Sequence, residues 1–166
     1  RSLGQCRNQP TAVDGPLASG KGTIARALAA KFGLPHLDTG TLYRGVAVAV
    51  LEAGTPPEDA EAAEAAARAL DPKAIDEAKI RTAGAGVAAS VVSAHPGVRK
   101  ALLELQRSFA HQSGGAVLDG RDIGTVIAPD ADVKLFITAS EEARAWRRQA
   151  ELVNRGEEID FETVLG

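Results

Sequence analysis

The chain has 166 residues and a formal net charge of −3, enough for one domain with a buried core and without the global positive field that would recruit nucleic acid or an anionic membrane. Apolar (45%) and charged (25%) fractions are those of a soluble globular protein and exclude disordered and fibrous classes, and no apolar run approaches the roughly 20 residues of a membrane span. Nothing near the start reads as a secretory signal, and a single cysteine, Cys6, excludes an internal disulfide and fits a reducing cytoplasm.

In chain order, residues 1–10 are polar and unpatterned, and the chain opens on Arg1, not on methionine. An amphipathic helix begins at residues 161–165, just before the last residue, so the sequence is expected to be a piece of a longer chain. Thr11–Asp14 is a short strand whose start is limited by Pro10, which has no amide to give a central ladder. Residues 15–20 are loop, and Lys21–Phe32 is a helix with Ile24, Leu28 and Phe32 as its apolar stripe, ended by Gly33. Residues 34–38 are extended, and 39–53 form a second helix ended by Gly54. Pro56-Pro57 opens a helix over 58–70, whereas 71–86 is weakly patterned and expected to be irregular. Helices are predicted over 87–94 and 96–111, the second striped by Val98, Leu102, Leu105 and Phe109. Residues 116–119 and 133–138 read as buried strands, and 141–155 as a strongly charged helix. Strands alternating with helices predict an α/β fold with a three-layer parallel sheet. One domain over 1–166 is expected, its core at 11–53 and 96–166, with the helical stretch 54–95 as an insert.

The most specific local signal is Gly15-Pro16-Leu17-Ala18-Ser19-Gly20-Lys21-Gly22-Thr23. It satisfies G-x-x-x-x-G-K between a strand and a helix, the setting a P-loop requires. Its glycines let backbone N–H groups turn inward around an anion, the helix N-terminus adds its dipole, and Lys21 supplies a point charge for the β- and γ-phosphates. The plainer alternative is a glycine turn capping a helix. Gly22 stands where many P-loops place a Mg²⁺-binding hydroxyl, with Thr23 one place later, so direct metal ligation by Thr23 is open and water and substrate phosphates are an alternative set of ligands.

Other residues have readings of their own. Arg44, early in the second helix, can grip a monophosphate through a bidentate fork or can be a surface arginine. Asp119 ends an apolar run, where a Walker-B-like carboxylate would order Mg²⁺ and its waters, or where a simple turn residue would stand. Arg121 and Asp122 follow at the C-terminal end of that strand, where ligands of open α/β sheets gather. A carboxylate with an arginine offers partners to a ligand that carries both hydrogen-bond donors and acceptors, and a surface ion pair is the alternative. Arg144, Arg147, Arg148 and Arg155 lie near one face of the charged helix and suit either polyphosphate or a solvated surface with partners such as Glu141. His36, His95 and His111 show no ligand spacing.

Four stretches in order, Val13-Asp14-Gly15-Pro16, Leu37-Asp38-Thr39-Gly40-Thr41-Leu42-Tyr43-Arg44, Val98-Arg99 and Leu118-Asp119-Gly120-Arg121-Asp122-Ile123-Gly124-Thr125, resemble bacterial cytidylate kinase, of the nucleoside monophosphate kinases. The resemblance runs from about residue 12 to 166 and leaves 1–11 unmatched. It implies a P-loop kinase fold with a monophosphate-binding insert at 54–95 and a lid starting at 144–158. It also implies transfer of the γ-phosphate of ATP, with Mg²⁺, to CMP or dCMP. Gly15, Ser19, Gly20, Lys21, Gly22, Thr23 and Arg147 would hold ATP. Thr39, Tyr43, Arg44, Ser90, Arg99, Arg121 and Asp122 would hold the acceptor, with Ser90, Arg99 and Asp122 at the base and Arg44 and Arg121 at the phosphate. Lys21, Arg121 and Arg148 would be catalytic, and Thr23 and Asp119 would serve the metal. For Ser90 the residue reading alone is equally a helical serine in an alanine-rich segment.

The resemblance further implies a cytoplasmic monomer acting on small molecules, with insert and lid closing to exclude water. The family continues beyond residue 166 with an arginine-rich lid segment, a helix and a strand, so an incomplete catalytic apparatus is expected of these residues alone. The rival expectations are a P-loop kinase for another monophosphate, shikimate or dephospho-CoA, and a non-catalytic nucleotide-binding fragment.

Overall fold

The computed structural model describes residues 9–156 and 160–165, with the side chain of Leu165 left aside; Cys6, most of the unmatched start, and residues 157–158 of the expected lid lie outside them. The order is β1 (Thr11–Asp14), α1 (Lys21–Phe32), β2 (His36–Asp38), α2 (Thr39–Glu52), α3 (Ala60–Arg68), α4 (Glu77–Ile80), α5 (Ala83–Val92), α6 (Pro96–Ala110), β3 (Val117–Gly120), β4 (Val133–Phe136), α7 (Glu141–Asn154) and α8 (Phe161–Leu165). A 3₁₀ turn covers Pro72–Ala74, and a π turn covers Ile123–Ile127. The chain divides into two compact units, 1–36 with 113–166, and 37–112. The expected insert at 54–95 falls within the second of these, together with α2 and α6.

The strands form a sheet of order β2-β3-β1-β4; β1, β3 and β4 belong to the first unit, and β1 runs parallel to both β3 and β4. Thr11 pairs with Val117 and Val133, and Asp14 with Gly120 and Phe136, so the motif-bearing strand ends come out at one level. This is the predicted α/β architecture with a parallel sheet. Val13, Ala25, Ala29 and Val117 form a buried cluster, joined by Leu28, Leu34, Leu135 and Ile137. The expected stripe on α1 needs correcting: Leu28 joins the core, but Ile24 and Phe32 are 38% and 65% exposed, and the inward face is Ala25 and Ala29. Alanine lets the helix axis approach the sheet closely, which larger side chains at those positions would prevent. A second correction concerns β4, expected to be buried: Val133 and Phe136 are exposed, since the strand stands at the end of the sheet order.

The second unit is helical. Leu42, Val46 and Val50 of α2, Val92 of α5, and Val98 and Leu102 of α6 are all essentially without exposure. Helix α2 packs on α3, α4 and α5, and α3 packs on α6. Residues 71–86, expected to be irregular, are instead a string of capped turns. Asp71 accepts from Lys73 N, Asp76 from Ala78 N and Thr82 from Ala85 N, each at a helix start. Helix α5 therefore begins four residues before the expected 87, through Gly84 and Gly86, whose low helix propensity concealed it.

Candidate active site

Everything at the first unit's site hangs on the turn between β1 and α1. After Asp14 the chain folds back on itself, and the geometry depends on residues without side chains. A Cβ on Gly15 would stand 2.2 Å from the carbonyl oxygen of Ile137 and 2.9 Å from Ser19 Oγ, so only glycine fits. Ala18 and Gly20 have φ of 58° and 93°, the left-handed region that turns successive N–H groups to one side. Lys21 begins α1 and its Nζ lies 3.5 Å from the Pro16 carbonyl, folding the charge back over the loop. Ser19 is 3% exposed, and its Oγ is buried without a hydrogen-bond partner. Leaving such a hydroxyl unpaired costs about 1–3 kcal/mol, a cost that an anion held by the loop would relieve.

Arg147 reaches this loop from the middle of α7, donating through Nη1 to the carbonyls of Ser19 at 2.9 Å and Ala18 at 3.4 Å. The guanidinium also stands where a Cβ on Gly20 would come within 3.3 Å. Helix α7 is started by Ser140, whose Oγ accepts from Ala143 N at 3.1 Å, with Glu141 and Glu142 in the first turn. Arg148, one residue on, pairs instead with Glu151 at 3.2 Å. Arg155 is exposed, and the suggested Glu141–Arg144 pair is not among the ion pairs of the described residues.

A second strand end meets the same loop. Asp14 is 8% exposed; its Oδ1 accepts from Ile123 N and its Oδ2 from Gly124 N, both at 2.8 Å. The carboxylate at the end of β1 thus anchors the segment that follows β3 and carries Arg121 and Asp122. Arg121 and Asp122 are exposed, and no ion pair between them is among those of the described residues. Although part of Asp122 faces solvent, partial desolvation, and then the nearby Asp14 carboxylate, push it above the ordinary carboxylate range.

Asp119 closes the group. It is 2% exposed at the end of β3, with Oδ2 2.6 Å from His36 Nε2 and Oδ1 3.7 Å from where a Cβ on Gly22 would be. Thr23 is exposed on α1. No cluster of three His, Cys, Asp or Glu side chains fit for a metal occurs among the described residues. A site of one carboxylate beside the loop suits a hard cation that keeps most of its waters, as Mg²⁺ does.

The second unit holds the other expected residues. Thr39 is buried at the start of α2, and Tyr43 and Arg44 are half-buried, with Arg44 Nη1 3.5 Å from the Ile80 carbonyl at the end of α4. Ser90 is exposed and its Oγ donates back to the Gly86 carbonyl at 3.3 Å; Arg99 is exposed near the start of α6. No hydrogen bond or ion pair joins Arg44, Ser90 and Arg99 among the described residues. Sequence reading missed His36 as the partner of Asp119 and Asp14 as the anchor of residues 123–124. Both contacts join segments over 80 residues apart in sequence, and no local spacing announces them.

A glycine loop between a central parallel strand and a helix, with lysine at the helix start and a buried carboxylate on the neighbouring strand, defines a P-loop nucleotide-binding protein. The family model described as Cytidylate kinase matches residues 11–166, and the chain belongs to that family. It is 62% identical over 154 residues to the cytidylate kinase of Methylobacterium sp. (strain 4-46), covering 93% of this chain and 73% of the relative. It is equally 62% identical to that of Xanthobacter autotrophicus, over 93% of this chain and 74% of the relative. With the cytidylate kinase of Caulobacter vibrioides (strain NA1000 / CB15N) the identity is 58%, over 93% and 72%. No helix among the described residues is long and apolar enough to cross a membrane.

Proposed function

We propose that the protein transfers the γ-phosphate of ATP to CMP or dCMP, giving ADP and CDP or dCDP. The observation that carries this is the loop of residues 15–20, closed around an unpartnered buried hydroxyl and flanked by Lys21 and Arg147, in a chain of the cytidylate kinase family. An oxygen of the acceptor's own phosphate attacks the γ-phosphorus as the bond to the bridging oxygen of ADP breaks. No general base is needed, and positioning with charge neutralisation supplies the catalysis.

In this reading the backbone of Gly15, Ser19, Gly20, Lys21, Gly22 and Thr23 cradles the triphosphate, and Arg147 braces the loop while adding positive charge. Lys21, Arg121 and Arg148 neutralise charge on the transferring group. Asp122 reads the cytosine amino group with Ser90 and Arg99, Tyr43 and Thr39 lie toward the sugar and phosphate, and Arg44 and Arg121 grip the acceptor phosphate. Mg²⁺, when bound, would offset charge on the β- and γ-phosphates; Asp119 would orient its waters, and Thr23 would offer a hydroxyl. The protein would act in the cytoplasm as a monomer on small molecules, with neither nucleic acid nor membrane as partner.

A panel of acceptors followed by ADP release tests the reading. CMP and dCMP should be used in preference to UMP and AMP, and Lys21→Ala should lower turnover by about 10²–10³ without changing the melting temperature. Preference for AMP or UMP would overturn the cytidylate assignment. ATP binding lost on Lys21→Ala with no transfer to any acceptor would instead leave only a nucleotide-binding protein.

A further inference from the structure

We propose that His36 is a positioning residue for phosphoryl transfer, holding Asp119 in the one orientation that faces the start of α1. The inference rests on the kinase reading above, in which Asp119 serves the metal beside the triphosphate. His36 belongs to none of the motifs that announce a nucleotide site, and its role follows from one contact.

The Nε2 atom of His36 lies 2.6 Å from Asp119 Oδ2, with side-chain exposures of 18% and 2%. With hydrogen on Nε2, the ring donates to the carboxylate. A buried carboxylate oxygen gains from such a hydrogen bond. The bond also does something geometric. An aspartate side chain has two torsions, so tying one oxygen fixes the carboxylate plane and the direction of the other oxygen's lone pairs. That other oxygen, Oδ1, looks toward the first turn of α1, 3.7 Å from where a Gly22 Cβ would stand. Arg26 Nη2 lies 3.8 Å from the same point, so the space at Gly22 is bordered by an acidic oxygen and a guanidinium. Residues that orient a group around a metal in this way typically alter affinity or activity by about 10–100-fold when removed. The bland alternative is that His36 merely ties the start of β2 to the end of β3.

The test uses the full chain with two substitutions: His36→Leu, which removes the donor and keeps bulk, and His36→Gln, which restores an amide donor. For each, kcat, the two KM values, the Mg²⁺ concentration for half-maximal rate and the melting temperature are measured. Calorimetry gives ATP binding with Mg²⁺ and in EDTA. His36→Leu should lower kcat about 10–100-fold, raise the Mg²⁺ requirement several-fold and leave KM for CMP near the wild-type value. ATP binding in EDTA should be unchanged, while the gain in affinity brought by Mg²⁺ shrinks; His36→Gln should recover most of both losses. If His36→Leu leaves kcat and the Mg²⁺ dependence within about twofold of wild type, the positioning role is wrong while the kinase reading stands. If Leu and Gln lose activity alike and in step with melting temperature, the contact is only structural and the proposal falls. A wild-type protein that phosphorylates no monophosphate would overturn the kinase reading and this inference with it.

Discussion

At the scale of single residues, the site is defined as much by missing side chains as by present ones. Gly22 is the clearest case. A Cβ there meets Asp119 Oδ1 at 3.7 Å and Arg26 Nη2 at 3.8 Å, ordinary contact distances, so alanine fits. Alanine in a helical first turn should even stabilise the fold, by about 0.5–1 kcal/mol. It would nevertheless occupy the room in front of Asp119. Gly22→Ala is therefore expected to melt slightly higher than wild type and to turn over more slowly, with a raised Mg²⁺ requirement; paired melting curves and Mg²⁺ titrations check both halves. Asp122 makes the opposite trade visible through pH. Its carboxyl is held above the ordinary range by partial desolvation and by Asp14, so the folded state takes up the proton more readily than the unfolded one. Its contribution to stability is thus best below the unfolded value and is lost as pH rises through the raised folded value. Asp122→Asn should raise the melting temperature at neutral pH, lose that advantage in acid, and weaken the use of CMP. Melting temperature against pH, with KM for CMP alongside, measures it.

Elements decide how these residues are presented, and they also mark what sequence alone could reach. Strand β1 and helix α1 have the bounds that Pro10, the glycine loop and Gly33 predict, because their start and stop signals are local. The P-loop was legible for the same reason. What stayed hidden was set by tertiary packing. The inward face of α1 is its alanines, against the simple stripe of large residues. The string of caps at Asp71, Asp76 and Thr82 supports turns where apolar periodicity is weak. The contact of Asp14 with residues 123–124 exists only once β1 pairs with β3, and that of His36 with Asp119 only once β2 lies beside β3. Helix α7 shows how an element can serve a site through its cap. Ser140 satisfies Ala143 N at the helix start, and the same helix delivers Arg147 to the Ala18 and Ser19 carbonyls. Ser140→Ala should cost about 1 kcal/mol of stability and raise KM for ATP more than KM for CMP. Denaturant melts with steady-state kinetics would show it, and an unchanged ATP KM would separate the cap from the loop.

In the whole molecule, one unit is built on a parallel sheet whose strand ends carry the anion loop and its carboxylates, and the other is a helical unit that carries Thr39, Tyr43, Arg44, Ser90 and Arg99. The chemistry proposed for them is a direct passage of one phosphoryl group from ATP to the phosphate of CMP. Phosphorus NMR of the protein with ATP, Mg²⁺ and CMP follows that passage without coupling enzymes. The signals of CDP and ADP should grow together as those of ATP and CMP decline, with little inorganic phosphate. ATP consumed to ADP and inorganic phosphate while CMP stays untouched, or spectra that do not change, would contradict it.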